Sequence, residues 1–282
     1  MAAKIIDGDS IAAAILEETK KSVEGLKAKG ISPKLGVVLI GDNPASEIYV
    51  NKKMLAAKSL GIEFELFRFP KSFSEAELVP FLNELNFRAD VHAVLVQLPL
   101  PKHLGVAKVL DAVSPLKDAD GFTAFNLGLL DHGREEIVSC TALGIMKLVE
   151  STGVKLEGAS VCIVNHSIIV GRPLAQMMMN RNATVTVCNA FTRDLASFTR
   201  NADVLVVAVG KPGLISGGMV KPGAVVIDAG IAKKGSKVVG DLDFESVKEK
   251  AGFVTPVPGG VGPMTVASLM KNVATLASVQ KK

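Results

Sequence analysis

The sequence predicts an α/β fold made of two α/β domains with a cleft between them. Short apolar runs alternate with helical segments along the first half of the chain, and this alternation is typical of parallel sheets. A stretch rich in helix breakers follows at residues 151–158, and a second series of strands and helices begins after it. The 282 residues, 48% of them hydrophobic, are enough to form two cores.

The first half contains three predicted strands joined by helices. An amphipathic helix opens at Asp9 or Ser10 and is closed by Gly30. Residues 35–40 are apolar throughout, whereas residues 64–69 alternate between apolar and charged. The remaining elements are helices at residues 44–60 and 74–86 and a strand at residues 93–98. Asp42 or Asn43 can cap the helix at 44–60, Pro44 fits its first turn and Gly61 ends it. This order predicts a parallel sheet.

The second half repeats the rhythm and predicts a Rossmann-like dinucleotide-binding domain. Its strands are expected at residues 161–164, 184–188, 204–209 and 224–228, with short ones at 237–239 and 253–255. Helices are expected at residues 140–150, 173–180, 195–200 and 265–279. We assign residues 1–140 and 265–282 to the first domain and residues 141–264 to the second, so that the last helix returns to the first domain.

The composition excludes several classes of function. The net charge of +4 is spread along the chain without a basic block, so no nucleic-acid partner is expected. Cys140, Cys162 and Cys188 are odd in number and lack metal-ligand spacing, which indicates buried thiols, no metal site and a reducing compartment. No apolar run approaches ~18 residues and the N terminus lacks a signal peptide. We therefore expect a cytoplasmic protein without membrane attachment.

The helix at residues 44–60 brings together side chains suited to chemistry. Ser46, Tyr49 and Lys53 recur at i, i+3 and i+7, so they share one stripe of a helix that follows the carboxyl end of a strand. Ile48 and Leu55 should face the opposite way, towards a core. Taken in isolation, Tyr49 and Lys53 fit better as surface residues that keep their polar ends in water, and the rest of the chain changes this interpretation.

Two further polar residues lie near the apolar segments of the first half. Gln97 stands near the end of the 93–98 strand, at the same predicted sheet edge as Lys53. A buried glutamine usually only completes its hydrogen bonds. Here it can also hold the lysine amine, and a desolvated lysine can be neutral and act as a base. Asp120 lies in a loop between two small residues, where aspartate is more often a turn or cap residue.

Three strand ends in the second half favour a nucleotide site. The first strand leads into Asn165-His166-Ser167 and a helix, where helix N–H groups can bind a pyrophosphate, although the G-x-G-x-x-G pattern is missing. Later strands lead into Gly210 and into Gly230-Ile231. An ordinary α/β domain with turn glycines is the alternative.

Five segments carry a further signal when they are taken in order. They are GDNPASEIYVNKK at residues 41–53, VQLPLP at 96–101, KDADGF at 117–122, KPGAVVID at 221–228 and TPVPGGVGPMT at 255–265. The last is the most specific, because its prolines and glycines are interleaved along the whole segment. Together the segments resemble the bifunctional methylenetetrahydrofolate dehydrogenase/methenyltetrahydrofolate cyclohydrolase family. The resemblance extends from about Ile6 to Asn272.

The resemblance implies two consecutive reactions on a tetrahydrofolate derivative. The enzyme would oxidise 5,10-methylenetetrahydrofolate to the 5,10-methenyl cation with NADP and then hydrolyse the cation to 10-formyltetrahydrofolate. By the same resemblance Lys53 is the central catalytic residue, Gln97 holds its amine, Ser46 lies near the reacting carbon and Tyr49 stacks on the aminobenzoyl ring. The implied substrate-binding residues are Asp120, Tyr49, Pro258, Gly259, Gly260 and Val261.

The nucleotide half departs from the family pattern. The family usually has Gly-Arg-Ser and Cys-His-Ser where this chain has Asn165-His166-Ser167 and Cys188-Asn189-Ala190. The expected arginine partner of an NADP 2′-phosphate is therefore absent, and Arg193 or a protonated His166 can replace it. We expect NADP, with NAD possible, because neither position carries an acidic residue suited to a free ribose hydroxyl. The implied cofactor-binding residues are Asn165, His166, Ser167, Arg193, Gly210 and Ile231.

The resemblance also implies a homodimer, and it leaves two other functions open. One is a monofunctional dehydrogenase, against which the intact set of Ser46, Tyr49, Lys53 and Gln97 argues. The other is a non-enzymatic nucleotide-binding module, which a replacement of Lys53 or Asp120 would have favoured.

Overall fold

The chain folds into two compact α/β units. A computed structural model describes residues 2–235 and 237–280. The large-sheet unit contains the chain up to Ala13, Leu130–Glu135 and Ser139–Thr265. The small-sheet unit contains Ala14–Leu129, Glu136–Val138 and the chain from Val266 onward. Two α/β units built on parallel sheets confirm the predicted fold class.

The small-sheet unit is built on a three-stranded parallel sheet with the order β3-β2-β4. Its strands are β2 (Lys34–Ile40), β3 (Glu63–Phe69) and β4 (Ala93–Val96). The central strand β2 is buried along almost its whole length, as its uninterrupted apolar run predicts for a strand covered on both faces. The helices that follow these strands are α2 (Pro44–Leu60), α3 (Glu75–Phe87), α4 (Val106–Asp111) and α5 (Ala124–Asp131).

The large-sheet unit is built on a six-stranded parallel sheet with the order β1-β11-β8-β7-β5-β6. Its strands are β1 (Lys4–Ile5), β5 (Ser160–Val164), β6 (Thr184–Cys188), β7 (Val204–Val207), β8 (Val225–Asp228) and β11 (Phe253–Val254). The two short strands β9 (Ala232–Lys234) and β10 (Lys237–Val239) form an antiparallel pair. The helices are α6 (Cys140–Glu150), α7 (Gly171–Met179), α8 (Leu195–Thr199), a 3-10 turn (Gly217–Met219) and α9 (Phe244–Lys248).

The N terminus belongs to a different unit from the one that we assigned to it. Residues up to Ala13 lie in the large-sheet unit, because Lys4 and Ile5 form β1 and pair with Phe253 and Val254 of β11. The helix α1 (Gly8–Ala28) begins directly after this strand. A two-residue strand carries no periodicity, so only its pairing with a distant strand reveals it.

The last helix, α10 (Val261–Val279), begins four residues before the predicted position at 265. From Val266 onward it belongs to the small-sheet unit. Asn272 is buried there, and its side-chain amide donates to the carbonyl oxygens of Ala119 (2.9 Å) and Val138 (3.0 Å). Within the part of the chain that the structure describes, neither α10 nor any other helix is long and apolar enough to cross a membrane.

Candidate active site

Helix α2 starts and ends where its sequence signals predict. Asn43 caps it, since the Asn43 Oδ1 atom accepts hydrogen bonds from the backbone N–H groups of Ala45 (2.9 Å) and Ser46 (3.3 Å). Pro44 occupies the first turn, where its missing N–H is not needed. Gly61 ends the helix in the left-handed conformation with φ of 71°. The helix therefore begins at a fixed distance from the carboxyl end of β2.

The buried face of α2 is the polar stripe, and the prediction for its apolar residues was wrong. Ser46 and Lys53 are buried together with three apolar residues of the helix, whereas Ile48 and Leu55 are 51% and 63% exposed. Periodicity showed that the two sets lie on opposite faces, but it did not show which face is covered. Here the covered face is the one that meets the polar end of β4.

Lys53 and Gln97 contact each other directly. The Lys53 amine donates a hydrogen bond of 2.9 Å to Gln97 Oε1, and both side chains are less than 10% exposed. Gln97 follows the last residue of β4, and its backbone N–H bonds to the carbonyl of Val38 in β2 (2.9 Å). Among the described residues Gln97 is the only hydrogen-bond partner of this amine, which forms no ion pair. The predicted meeting of these residues at one sheet edge is confirmed.

Ser46 and Tyr49 complete the polar face of α2. Ser46 is 2% exposed, and its hydroxyl has no hydrogen-bond partner within the described residues. A buried hydroxyl without a partner is costly, so a ligand or a bound water is expected to satisfy it. Tyr49 is half-buried, and burial raises the pKa of its phenol above the ordinary value. The stripe thus offers an unsatisfied hydroxyl, an amine and a neutral phenol together.

The loop that carries Asp120 is shaped by its neighbour Asp118. The Asp118 carboxylate accepts from the N–H groups of Gly121 (2.9 Å) and Thr123 (2.8 Å) and from the amide of Asn126 (3.0 Å). Asp118 is buried, whereas Asp120 is partly accessible to solvent. Sequence reasoning missed Asp118. It holds the loop in shape, so that Asp120 lies at an accessible position.

In the large-sheet unit, the loop at residues 256–260 packs against the start of α1. The Gly8 N–H donates to the carbonyl of Gly259 (2.9 Å), and a methyl group added to Gly8 would lie 2.1 Å from the Gly260 oxygen. Gly259 has φ of 96°, a conformation that favours glycine. Pro258 is exposed, and Val261 is buried at the start of α10. The backbone conformation therefore requires glycine at position 259, and the close approach of the loop requires glycine at position 8.

The carboxyl ends of β5 and β7 mark the position where an open α/β sheet binds its ligand. β5 connects to β6 on one side, and the chain then crosses to β7 on the other side. Ligands of such sheets bind in the crevice where the strand order reverses. Asn165 joins the two loops there: its Nδ2 atom donates to the Ala208 carbonyl (2.5 Å), and its Oδ1 atom accepts from Ser167 (2.8 Å) and Gly171 (3.0 Å).

The side chains around this crevice suit a nucleotide. His166 and Arg193 are exposed, and Arg193 has no hydrogen bond or ion pair within residues 2–235 and 237–280. Ile231 is 52% exposed, and its carbonyl lies 3.5 Å from the position that a methyl group on Gly210 would take. An unpaired guanidinium suits a phosphate, and an exposed apolar side chain suits a flat ring. The structure brings Asn165 close to Ser167 and Gly210 close to Ile231, while Arg193 makes no polar contact with these residues.

Two family models match the chain. One is the tetrahydrofolate dehydrogenase/cyclohydrolase catalytic domain, which matches residues 6–120. The other is the tetrahydrofolate dehydrogenase/cyclohydrolase NAD(P)-binding domain, which matches residues 139–281. Between them the two models cover nearly the whole chain.

Relatives match over their full length. The bifunctional protein FolD of Methanococcoides burtonii is 50% identical over 279 residues, covering 99% of this chain and 97% of that protein. The crystal structure of the bifunctional enzyme FolD from Campylobacter jejuni has a TM-score of 0.96 and 44% identity, covering 98% of this chain and 99% of the other. The structure of the dehydrogenase-cyclohydrolase of Trypanosoma brucei, solved with NADP and an inhibitor, has a TM-score of 0.94 and 36% identity. The match covers 99% of this chain and 98% of that one.

Proposed function

The chain belongs to the tetrahydrofolate dehydrogenase/cyclohydrolase family, and from that premise we propose which residues perform its two reactions. The enzyme oxidises 5,10-methylenetetrahydrofolate to the 5,10-methenyl cation and hydrolyses the cation to 10-formyltetrahydrofolate. The observation that carries the residue assignment is the buried pair of Lys53 and Gln97, together with the unsatisfied hydroxyl of Ser46 on the same buried face of α2.

Lys53 is the base of the hydrolytic step. Water adds to the cationic carbon and gives one proton to the base. The hydroxyl so formed then becomes the formyl carbonyl as the bond from that carbon to N5 breaks, and the second proton passes to N5, so that 10-formyltetrahydrofolate and one proton are the products. An ammonium group cannot accept a proton, so the amine has to be neutral when water attacks. The Lys53 side chain is 7% exposed, and its hydrogen-bond partner Gln97 is an uncharged amide and not a carboxylate. Gln97 orients the amine without fixing a positive charge on it.

Ser46 and Tyr49 position the substrate on the same helix face. The Ser46 hydroxyl is free to hydrogen-bond the attacking water or the substrate. Tyr49 is half-buried and offers a ring face for the flat aminobenzoyl group. Asp120, presented by the loop that Asp118 shapes, suits the paired N–H groups of a pterin, because a carboxylate accepts two hydrogen bonds side by side. Residues 258–261 supply backbone that can approach the substrate closely.

The oxidative step needs positioning and no acid or base. When bound, the oxidised nicotinamide accepts the hydride that leaves the methylene carbon. Asn165, His166, Ser167, Gly210 and Ile231 hold the dinucleotide at the crevice between β5 and β7. Arg193, or His166 in its protonated form, binds the 2′-phosphate, so the dinucleotide is NADP. The unpaired, exposed guanidinium of Arg193 supports this assignment.

We also propose a cytoplasmic homodimer. The described helices include none that could cross a membrane, and the buried thiols of Cys140, Cys162 and Cys188 suit a reducing compartment. Size-exclusion chromatography with light scattering tests the dimer, since a monomeric mass would contradict it.

The deciding experiment is a spectrophotometric assay with 5,10-methylenetetrahydrofolate, run separately with NADP and with NAD. Formation of reduced cofactor with little methenyl compound shows both reactions, and a faster rate with NADP supports the 2′-phosphate assignment. Reduced cofactor with accumulating methenyl compound indicates a monofunctional dehydrogenase. No turnover with either cofactor, in protein shown to be folded, leaves only the binding-module alternative.

A further inference from the structure

A buried aspartate holds the loop that follows β7. The Asp241 carboxylate accepts hydrogen bonds from the backbone N–H groups of Val209 (2.6 Å), Gly210 (3.1 Å) and Lys211 (2.6 Å). Asp241 itself is 0% exposed. Hydrogen bonds to an ionised acceptor are roughly twice as strong as neutral ones. The conformation of residues 209–211, called here the 209–211 loop, therefore depends on one side chain that is distant in sequence.

The 209–211 loop lies at the crevice that receives the dinucleotide. It follows β7 directly and faces the loop after β5, to which Asn165 ties it through the Ala208 carbonyl. All three of its residues are exposed, and Gly210 has φ of 76°. Asp241 is on the opposite, covered side of the loop. It can therefore set the shape of the nucleotide surface without touching a ligand.

A second buried aspartate holds Asp241 in place. The Asp228 carboxylate at the end of β8 accepts from the backbone N–H groups of Gly230 (2.9 Å), Asp241 (3.0 Å) and Leu242 (3.1 Å). Burial raises the pKa of Asp228, and the negative charge of Asp241 adds to this effect. The two neighbouring buried carboxylates repel each other, and the three backbone N–H donors on each of them offset this repulsion.

Glycines make room for this arrangement. A methyl group added to Gly230 would lie 2.2–2.4 Å from the carboxylate atoms of Asp241. Gly230 does not have a positive φ, so an alanine there is compatible with the backbone and would displace mainly the carboxylate. The chain therefore offers two independent ways to disturb the same contact.

We propose that Asp241 is a positioning residue for dinucleotide binding: it holds the 209–211 loop in the shape that the cofactor needs. This inference rests on the proposed dehydrogenase activity. It concerns only the oxidative step, because hydrolysis of the methenyl compound uses no dinucleotide. A residue with a merely structural role would affect both activities equally, whereas Asp241 should affect only one.

The test compares Asp241→Asn and Gly230→Ala with the wild-type enzyme. Asparagine keeps one acceptor oxygen but turns an N–H donor towards backbone N–H groups, and alanine at position 230 displaces the carboxylate. We expect both variants to weaken NADP binding in calorimetry about tenfold or more, and to raise the KM for NADP similarly. The rate of methenyl hydrolysis, measured without dinucleotide, should stay within about twofold of the wild-type rate.

Asp203→Asn is the matched control. The Asp203 carboxylate also accepts from a backbone N–H, that of Ser160 (2.9 Å), but this contact lies at the amino edge of the same sheet. NADP binding should be unchanged in this variant. Unchanged NADP binding in folded Asp241→Asn or Gly230→Ala protein overturns the inference, as does an equal loss of both activities. If only one of the two variants folds, the NADP binding of that variant alone decides whether Asp241 is a positioning residue. A wild-type enzyme without dehydrogenase activity would instead refute the proposed function.

Discussion

Gln97 turns its amide oxygen, and not its amide nitrogen, towards the amine of Lys53. The Gln97 Nε2 atom donates to the carbonyl of Leu98 (2.7 Å), which leaves Oε1 to accept from Lys53 Nζ (2.9 Å). The orientation of the amide is thus set by the backbone immediately after β4. A lysine held by a neutral acceptor keeps one direction free for water, and it is not fixed in the charged state by a carboxylate.

Replacing Lys53 with alanine should abolish most of the hydrolytic activity. A positioned base typically contributes ~10²–10⁴ in rate, so we expect methenyl hydrolysis to fall at least ~100-fold. Dehydrogenase activity should fall less, because hydride transfer needs no base. Lys58→Ala removes an exposed amine from the same helix and serves as the control. Hydrolysis at the wild-type rate in the Lys53 variant would refute the role of this residue.

Replacing Gln97 with glutamate tests the protonation state of the lysine. A carboxylate at this position would form an ion pair with the amine and favour its protonated form. Hydrolysis would then require a higher pH, and we expect the pH–rate profile of kcat to move upward by about one unit or more. Gln97→Met, which also removes the amide but adds no charge, should not cause this upward shift. An identical profile in the glutamate variant would contradict the proposed chemistry.

His92 should make the small-sheet unit sensitive to mild acid. Burial, with the charge of Lys117 second, lowers the pKa of His92, whose Nδ1 atom accepts from the Lys34 N–H (3.3 Å). Below about pH 6.5 the unfolded chain binds a proton here that the folded chain does not, so stability falls as the pH falls. His92→Gln should show a weaker decrease in the free energy of unfolding between about pH 7 and 5, measured with urea. If the free energy of unfolding falls equally with pH in the wild-type protein and in His92→Gln, then His92 is not the source of the acid sensitivity.

Two glycine substitutions should change stability in opposite directions. Gly25 lies in the interior of α1 with nothing within 4 Å of an added methyl group, so Gly25→Ala should raise the free energy of unfolding by ~0.5–1 kcal/mol. Gly61 has φ of +71° and the Lys27 amine lies 2.7 Å from the added methyl group, so Gly61→Ala should lower it by ~1–2 kcal/mol. Urea unfolding measures the free energy of unfolding of both variants. Changes of the same sign in the two variants would contradict the positions assigned to Gly25 and Gly61 in their helices.

Local signals predicted the framework of the site well. Asn43, Pro44 and Gly61 are short-range start and stop signals for a helix, and each has its expected role. The meeting of Lys53 and Gln97 followed from the rule that parallel strands bring their carboxyl ends to one edge. Such features depend on neighbouring residues or on a general rule of chain topology.

Features that depend on distant contacts were missed. Periodicity placed Ile48 and Lys53 on opposite faces of α2, but only the packed structure shows that the lysine face is the buried one. Asp118 and Asp241 bind backbone N–H groups that no sequence pattern connects with them. The short helix α4 begins after Gly105, which offers no side-chain cap that a pattern search would find.

The way in which the chain alternates between the two units has a consequence for biosynthesis. The large-sheet unit needs its first strand, β1, to pair with β11, and the small-sheet unit needs α10 from Val266 onward. Both partners are made after most of each unit has been made. Domains usually fold in the order in which they leave the ribosome. In this protein the large-sheet unit is complete only at Thr265 and the small-sheet unit only after that, so release or truncation of the nascent chain before β11 leaves two unfinished cores.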